Sequence, residues 1–151
     1  MLPFNPSSYS ELSPELAERL RTRLEKSVVN QLFKFNIETI RQDYCVMSLD
    51  YREEITNGVR SQGTIHGGIV ASLADTASAF ALSTNFDGQM SFATVDLHIN
   101  FIARAQSKIY AHARVIRKGS RINVLDVDVF DASDKLVAKA VLNFILTKPA
   151  K

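Results

Sequence analysis

The residues of this chain that could do chemistry concentrate between Gln62 and Ser83, where His66-Gly67-Gly68 leads into a long apolar run carrying one carboxylate, Asp75. From Ile69 to Leu82 nearly every position is apolar or small, and Ile69, Val70, Leu73, Ala74, Ala77, Phe80 and Ala81 recur at helical spacing. Ala71 and Ala79 are apolar too, so the spacing predicts a helix enclosed by other structure. Gly67 and Gly68 let the chain turn sharply into that helix and let a backbone or ligand approach its first free N–H groups. Such N–H groups favour an anion or a polarised carbonyl oxygen. Asp75 reads in two ways from the residues alone: a reactive carboxylate, or a solvated member of a weak polar stripe with Ser72, Thr76 and Ser83.

The elements that must position these groups follow from periodicity. Ser13-Pro14 is an N-cap followed by proline at the first helical position, and Leu16, Leu20, Leu24 and Val28 then repeat on one face. Arg19, Arg21, Arg23 and Lys26 alternate with Glu15, Glu18 and Glu25, which favours a surface helix over a membrane-binding one. From Phe35 to Tyr51 the period changes to two, giving one expected strand. Residues 53 to 65 carry turn chemistry, including Asn57-Gly58 and Gly63. After the central helix a second strand is expected from Phe92 to Ala103, with Val95, Leu97, Ile99 and Phe101 on one face and Thr94, Asp96, His98 and Asn100 on the other. Three further alternating segments begin at Lys108, Arg121 and Lys135, separated by Gly119-Ser120 and Ala132-Ser133-Asp134. Short connections between them imply a largely antiparallel sheet covering one long helix, an α+β fold.

At 151 residues the chain reads as one domain able to bury a substantial core. The formal net charge is only +2 with both signs interspersed, which argues against nucleic acid as a partner. Cys45 is the only cysteine, so no intrachain disulfide or cysteine-built metal cluster can form, and it is expected to be a buried packing residue. The three histidines show no metal-ligand spacing, and His112 is expected on a strand surface. The first ten residues lack a basic region followed by an apolar one, and no stretch approaches the ~18 apolar residues of a membrane span. A cytoplasmic protein without membrane partners is the simplest expectation.

Three features together resemble the hotdog fold, and within it the phenylacetate-pathway type of acyl-CoA thioesterases: Gly63-Thr64-Ile65-His66-Gly67-Gly68 entering the helix, Asp75 seven residues beyond Gly68, and Thr94-Val95-Asp96-Leu97 opening the next strand. The later segments from Ile116 to Asp131 and from Lys135 to Leu146 also follow that pattern. The resemblance implies a curled antiparallel sheet of five or six strands wrapped around the central helix, with residues 1–34 as an N-terminal helical extension and 35–151 as the hotdog domain. It implies that Gly67 offers its N–H to a thioester carbonyl with His66 assisting, that Asp75 is nucleophile or general base, and that Thr94 helps place the attacking water. Gly68 would lie against the substrate, with no cofactor or metal needed. Family members also place an asparagine before the histidine. Counting without gaps puts Arg60 there, whereas a loop three residues longer puts Asn57 there, and Asn57 is preferred. Arg104, Lys118 and Arg121 lie at strand ends, where they could meet the phosphates of coenzyme A.

Helix geometry adds one constraint. Asp75 comes nine residues after His66, which places it about 13 Å along the helix and on its opposite side. One chain cannot aim both at one carbon, so a shared substrate requires a two-fold related copy, in a homodimer or homotetramer. The expected activity is hydrolysis of an acyl-CoA to a carboxylic acid and free coenzyme A. The rivals are a hotdog dehydratase or hydratase, which pairs histidine with a carboxylate, a non-catalytic acyl-thioester binding protein, and a scaffold with a vestigial site.

Overall fold

A computed structural model describes residues 5–147. The outermost residues of both expected domains, 1–4 and 148–151, with the first part of the stretch searched for a targeting signal, lie outside them. Two short helices, α1 (Pro14–Glu25) and α2 (Val28–Phe33), precede strands β1 (Asn36–Arg41) and β2 (Tyr44–Leu49); the long helix α3 (Gly67–Ser83) follows, then β3 (Ser91–Phe101), β4 (Ile109–Arg117), β5 (Ile122–Asp131) and β6 (Leu136–Thr147). All strands join one antiparallel sheet in the order β1-β2-β4-β5-β6-β3. The sheet packs on α3 chiefly through β2 and β4.

α3 is held there by its own composition. Val70, Leu73, Ala74, Ala77, Phe80, Ala81 and Leu82 are buried, and the small alanines let the helix approach Cys45, Met47, Ala111, Ala113 and Leu125 closely. The opposite side of α3, with Ala71, Ser72, Asp75 and Thr76, is only half-buried. Leu20 and Leu24 of α1 join the same core, and the Ser13 hydroxyl caps α1 by accepting from the Leu16 N–H at 3.3 Å. Cys45 is fully buried, and burial pushes its thiol up to about 12, so it packs rather than reacts. No helix among the described residues is long and apolar enough to cross a membrane.

Four expectations need correction. The single strand from Phe35 to Tyr51 is a hairpin, turned at Gln42-Asp43 with Asp43 at φ 63°, a conformation aspartate tolerates but which leaves no glycine signal. Val28 does not continue the apolar stripe of α1. The helix ends before it, the chain restarts as α2, and Val28 is 82% exposed. The two faces of β3 are not those of simple alternation. A bulge between Thr94 and Asp96 shifts the register, so that Thr94 lies opposite Phe144 while Leu97, Ile99 and Phe101 lie opposite Leu142, Ala140 and Ala138. All four partners face the core, so Thr94 shares the helix-facing side with Leu97, Ile99 and Phe101.

The fourth concerns His112, which is buried at 4% exposure on the outer face of the sheet. The segment before α1 covers it: Tyr9 stacks on Tyr44 with ring centroids 4.5 Å apart, and the Tyr44 hydroxyl stands 2.8 Å from His112 Nδ1. Beside them Arg114 reaches Asp126 and Asp128, and Lys139 Nζ donates to Asp128 at 2.7 Å. Burial pushes the His112 imidazole below its ordinary pKa. Asp128 opposes this, Arg114 adds to it, and Asp134 weakly opposes. A histidine whose folded pKa is depressed contributes stability that is complete above its unfolded value of about 6.5 and is lost as pH falls through the folded value. Between pH 7.5 and 5.5 the urea midpoint of the wild type should therefore fall more than that of His112→Gln; parallel declines would show that His112 does not carry this dependence.

Candidate functional site

The site is built at the N-terminus of α3. His66 is the N-cap: its Nδ1 accepts from the Gly68 N–H at 2.9 Å, and its carbonyl accepts from the N–H groups of Ile69 and Val70 at 2.9 and 3.2 Å. Of the four donors at the helix start that lack an i−4 carbonyl, those of Gly68 and Ile69 are satisfied by His66 and that of His66 itself by Ile55 O. The Gly67 N–H is the remaining one and has no acceptor among the described residues. With Nδ1 accepting, the neutral imidazole carries its proton on Nε2, so that edge of the ring is a donor. Gly67 therefore presents an open backbone donor, with a second donor on the neighbouring side chain.

The loop before the helix is fixed by many short bonds. Thr56 and Ile65 form an antiparallel bridge, the Asn57 N–H donates to Thr64 O at 2.9 Å, and the His66 N–H donates to Ile55 O at 2.8 Å. Gly58 and Gly63 take φ +80° and +70°, which glycine adopts without strain. The Tyr51 hydroxyl donates to Gly63 O at 2.9 Å and sits where a Cβ on Gly63 would have to go. Arg104 Nη1 donates to Gln62 Oε1 at 2.5 Å and Gln106 Nε2 to Gln62 O at 2.6 Å. A cavity of about 390 Å³ opens between this loop, the start of α3 and the end of β3; Asn57, Gly67, Val70, Phe101, Ile102 and Arg104 are among its lining residues. Arg60 is absent from that lining and lies exposed in the short 3₁₀ turn Val59–Ser61.

Asp75 stands two turns along α3 and is half-buried. Thr94 Oγ1 donates to Asp75 Oδ1 at 2.8 Å across the gap between helix and edge strand. Its would-be stripe partners turn inward on their own helix: the Ser72 hydroxyl donates to Gly68 O and the Thr76 hydroxyl to Ser72 O, both at 2.8 Å, and Ser83 is buried. Within one chain the structure thus makes two groupings, Asn57, His66, Gly67, Gly68 and Arg104 at the helix start, and Asp75 with Thr94 farther along.

The remaining basic candidates are apart from the helix start. Lys118 Nζ pairs with Asp43 Oδ2 at 2.8 Å and touches Asn85 Oδ1 at 3.3 Å, beyond the C-terminal end of α3. Arg121 is exposed, and its carbonyl accepts from Leu146, which lies opposite Phe92; this sets it near the Thr94 end of β3. His98 and Asn100 bond to each other at 3.2 Å on an exposed part of β3. Phe101 was not separated from the other phenylalanines by the sequence. Its ring closes on Gly67, where an added Cβ would stand 3.1 Å from Phe101 Cζ. No local pattern carries that contact, which joins the end of β3 to the start of α3. Among the described residues no group of three or more His, Cys, Asp or Glu could hold a metal ion.

Comparison with known proteins gives the family and the fold. Residues 62–138 match the family model described as "Thioesterase superfamily". A protein of Saccharolobus solfataricus bearing an esterase name is 31% identical over 133 residues, 82% of this chain and 86% of its own length. An esterase-named protein of Halobacterium salinarum is 32% identical over 90 residues, 58% of this chain and 60% of its own length. Human acyl-coenzyme A thioesterase 13 is 33% identical over 98 residues, 63% of this chain and 66% of its own length. The structure of the PaaI protein from the phenylacetic acid degradation operon of Escherichia coli superposes with a TM-score of 0.81 at 20% identity, covering 93% of this chain and 99% of that one.

The capping role of His66 can be separated from any other. His66→Ala should lower the free energy of unfolding by about 1 kcal/mol, whereas His66→Asn, which retains an N-cap acceptor, should stay within about 0.5 kcal/mol of wild type. Urea unfolding of the three proteins checks this, and equal losses in both variants would remove the cap from the account.

Proposed function

This chain belongs to the thioesterase superfamily as a thioester hydrolase, and we propose that it cleaves acyl-CoA to a carboxylic acid and free coenzyme A at a site completed by a second copy of itself. The observation that carries the reading is the open Gly67 N–H at the start of an enclosed helix, at the edge of a largely apolar cavity. A thioester oxygen placed there meets a donor that strengthens as charge develops on it, an effect whose loss in comparable sites costs roughly 3 kcal/mol. Asn57 and Arg104 are further polar residues lining that cavity, and His66 Nε2–H, on the residue before Gly67, would assist from outside the lining.

The carboxylate comes from the other copy. β3 is an edge strand eleven residues long, exposing Val95 and Phe101, each at 56%. Beside α3, Thr94 stands at Asp75 and Phe101 stands at Gly67. An antiparallel copy of β3, related by a two-fold axis between Leu97 and His98, sets the Gly67 end of one chain against the Asp75 end of the other. This also covers the unpaired edge. Arg121, near the Thr94 end, then approaches the partner's Arg104, giving two cations for the coenzyme A phosphates. Asp75 either attacks the carbonyl carbon, forming an acyl anhydride that water then hydrolyses, or takes a proton from water that attacks the carbon itself, with Thr94 holding its other oxygen. In both cases the C–S bond breaks, and the leaving thiolate takes up a proton from Asp75 or water to give coenzyme A, while the acyl group leaves as the carboxylic acid. The engagement of His66 Nδ1 with Gly68 argues against a dehydratase, which would need that imidazole as a free base.

Release of free thiol from short, long and aromatic acyl-CoAs tests the reading. Wild type should release thiol, Asp75→Asn should lose at least about a thousandfold in kcat, and Asn57→Ala should lose on the order of tenfold to a hundredfold, with Arg60→Ala near wild type. Undiminished turnover by Asp75→Asn would sink the assignment, and a mixture of Asp75→Asn with Gly67→Pro subunits that recovers activity would support a site shared between copies.

A further inference from the structure

We infer that Phe101 sets which acyl groups the site accepts, admitting those with a CH₂ next to the carbonyl and rejecting those branched at that carbon. This rests on the thioesterase reading and goes beyond it to the substrate class.

The inference starts from the bulge. Without it, Phe101 and Thr94 would face opposite sides of β3; with it, both face α3, and the Phe101 ring lies over the backbone of Gly67. A Cβ built on Gly67 would stand 3.1, 3.3 and 3.6 Å from Cζ, Cε1 and Cε2 of that ring, so the ring edge is in contact with the residue whose N–H is open. Phe101 is nonetheless 56% exposed, so its contact with Gly67 does not bury it and its ring forms a wall of the cavity. Ile102, Val70 and Val137 extend the apolar lining beyond the ring, while Asn57 and Arg104 supply the polar part.

A carbonyl oxygen about 2.9 Å from the Gly67 N carries its α-carbon roughly 4 to 5 Å from that nitrogen, a distance at which it meets the ring standing beside Gly67. An unbranched α-carbon can pass along the flat ring, with the CH₂ groups or an aryl group beyond it packing on the apolar lining. A methyl branch at the α-carbon would have to occupy the space the ring already fills. Discrimination between groups that differ by one methyl is of the order of tenfold or more when a wall of the pocket opposes it.

The test compares kcat/KM for hexanoyl-CoA and 2-methylhexanoyl-CoA. Wild type should prefer the straight chain by roughly tenfold or more, Phe101→Ala should reduce the preference to about threefold or less by admitting the branched substrate, and Phe101→Leu should fall between. The leucine variant keeps an apolar side chain on the strand edge that the proposed second copy covers and serves if the alanine variant is unstable or fails to pair. A merely structural role for Phe101 would lower both rates together and leave their ratio unchanged. An unchanged ratio in an active variant overturns the inference while the thioesterase reading stands. Wild type that releases no thiol from any acyl-CoA overturns the thioesterase reading, and this one with it.

Discussion

A helix is stiff, and that stiffness governs how this molecule can work. Gly67 and Asp75 are fixed on one rod about 12 Å apart along its axis, and no loop movement can bring the open N–H of one to the carboxylate of the other. The chemistry is therefore divided between two ends of one element. The half-buried side of α3, the eleven-residue edge of β3 and the exposed Val95 and Phe101 are the surfaces that the proposed second copy would cover. The core side of the helix is given over to packing, with alanines at positions 74, 77 and 81 allowing the sheet to close on it.

The bulge at Val95 joins the two ends. One extra residue in an edge strand costs a ladder position. Here it turns the first half of β3 over, so that Thr94 can donate to Asp75 while Leu97, Ile99 and Phe101 still cover the helix. Had the strand alternated regularly from Phe92 to Phe101, either Thr94 or Phe101 would face away from α3. The bulge thus decides that Thr94, at the carboxylate, and Phe101, beside the open N–H, lie on one side of the strand.

The sequence made the central helix, its glycine entry, the later strands and the position of the carboxylate legible, because each leaves a local pattern: helical recurrence from Ile69 to Leu82, alternation from Ile122 to Asp131, glycine before a helix. What it hid was non-local or lacked a marker residue. The hairpin at Gln42-Asp43 turns on aspartate instead of glycine, so alternation ran unbroken through two strands. His112 has the sequence surroundings of an exposed strand residue, and it is buried only because Tyr9, about a hundred residues earlier, stacks on Tyr44 above it. The bulge has no glycine at all. Asn57 and Arg60 could not be ranked by counting, since the answer depends on how the loop is folded, and the left-handed residues Gly58, Gln62 and Gly63 fold it so that Asn57 faces the cavity while Arg60 turns away.

The helix entry also explains why the site can wait in its working form. Every helix begins with donors that need acceptors, and here three of the four find them: His66 N–H at Ile55 O, Gly68 N–H at the His66 imidazole and Ile69 N–H at the His66 carbonyl. The fourth is left at Gly67, beside a cavity that water can enter, so leaving it open costs little in the folded state. In the proposed reaction an acyl group fills the cavity and excludes that water, and the same N–H then faces the carbonyl in a less polarisable setting, where its field is stronger. Its position needs no adjustment as charge grows on the oxygen, because the neighbouring bonds to His66 already hold the peptide plane. The residue that caps the helix is thus also the one that holds the open donor at the cavity.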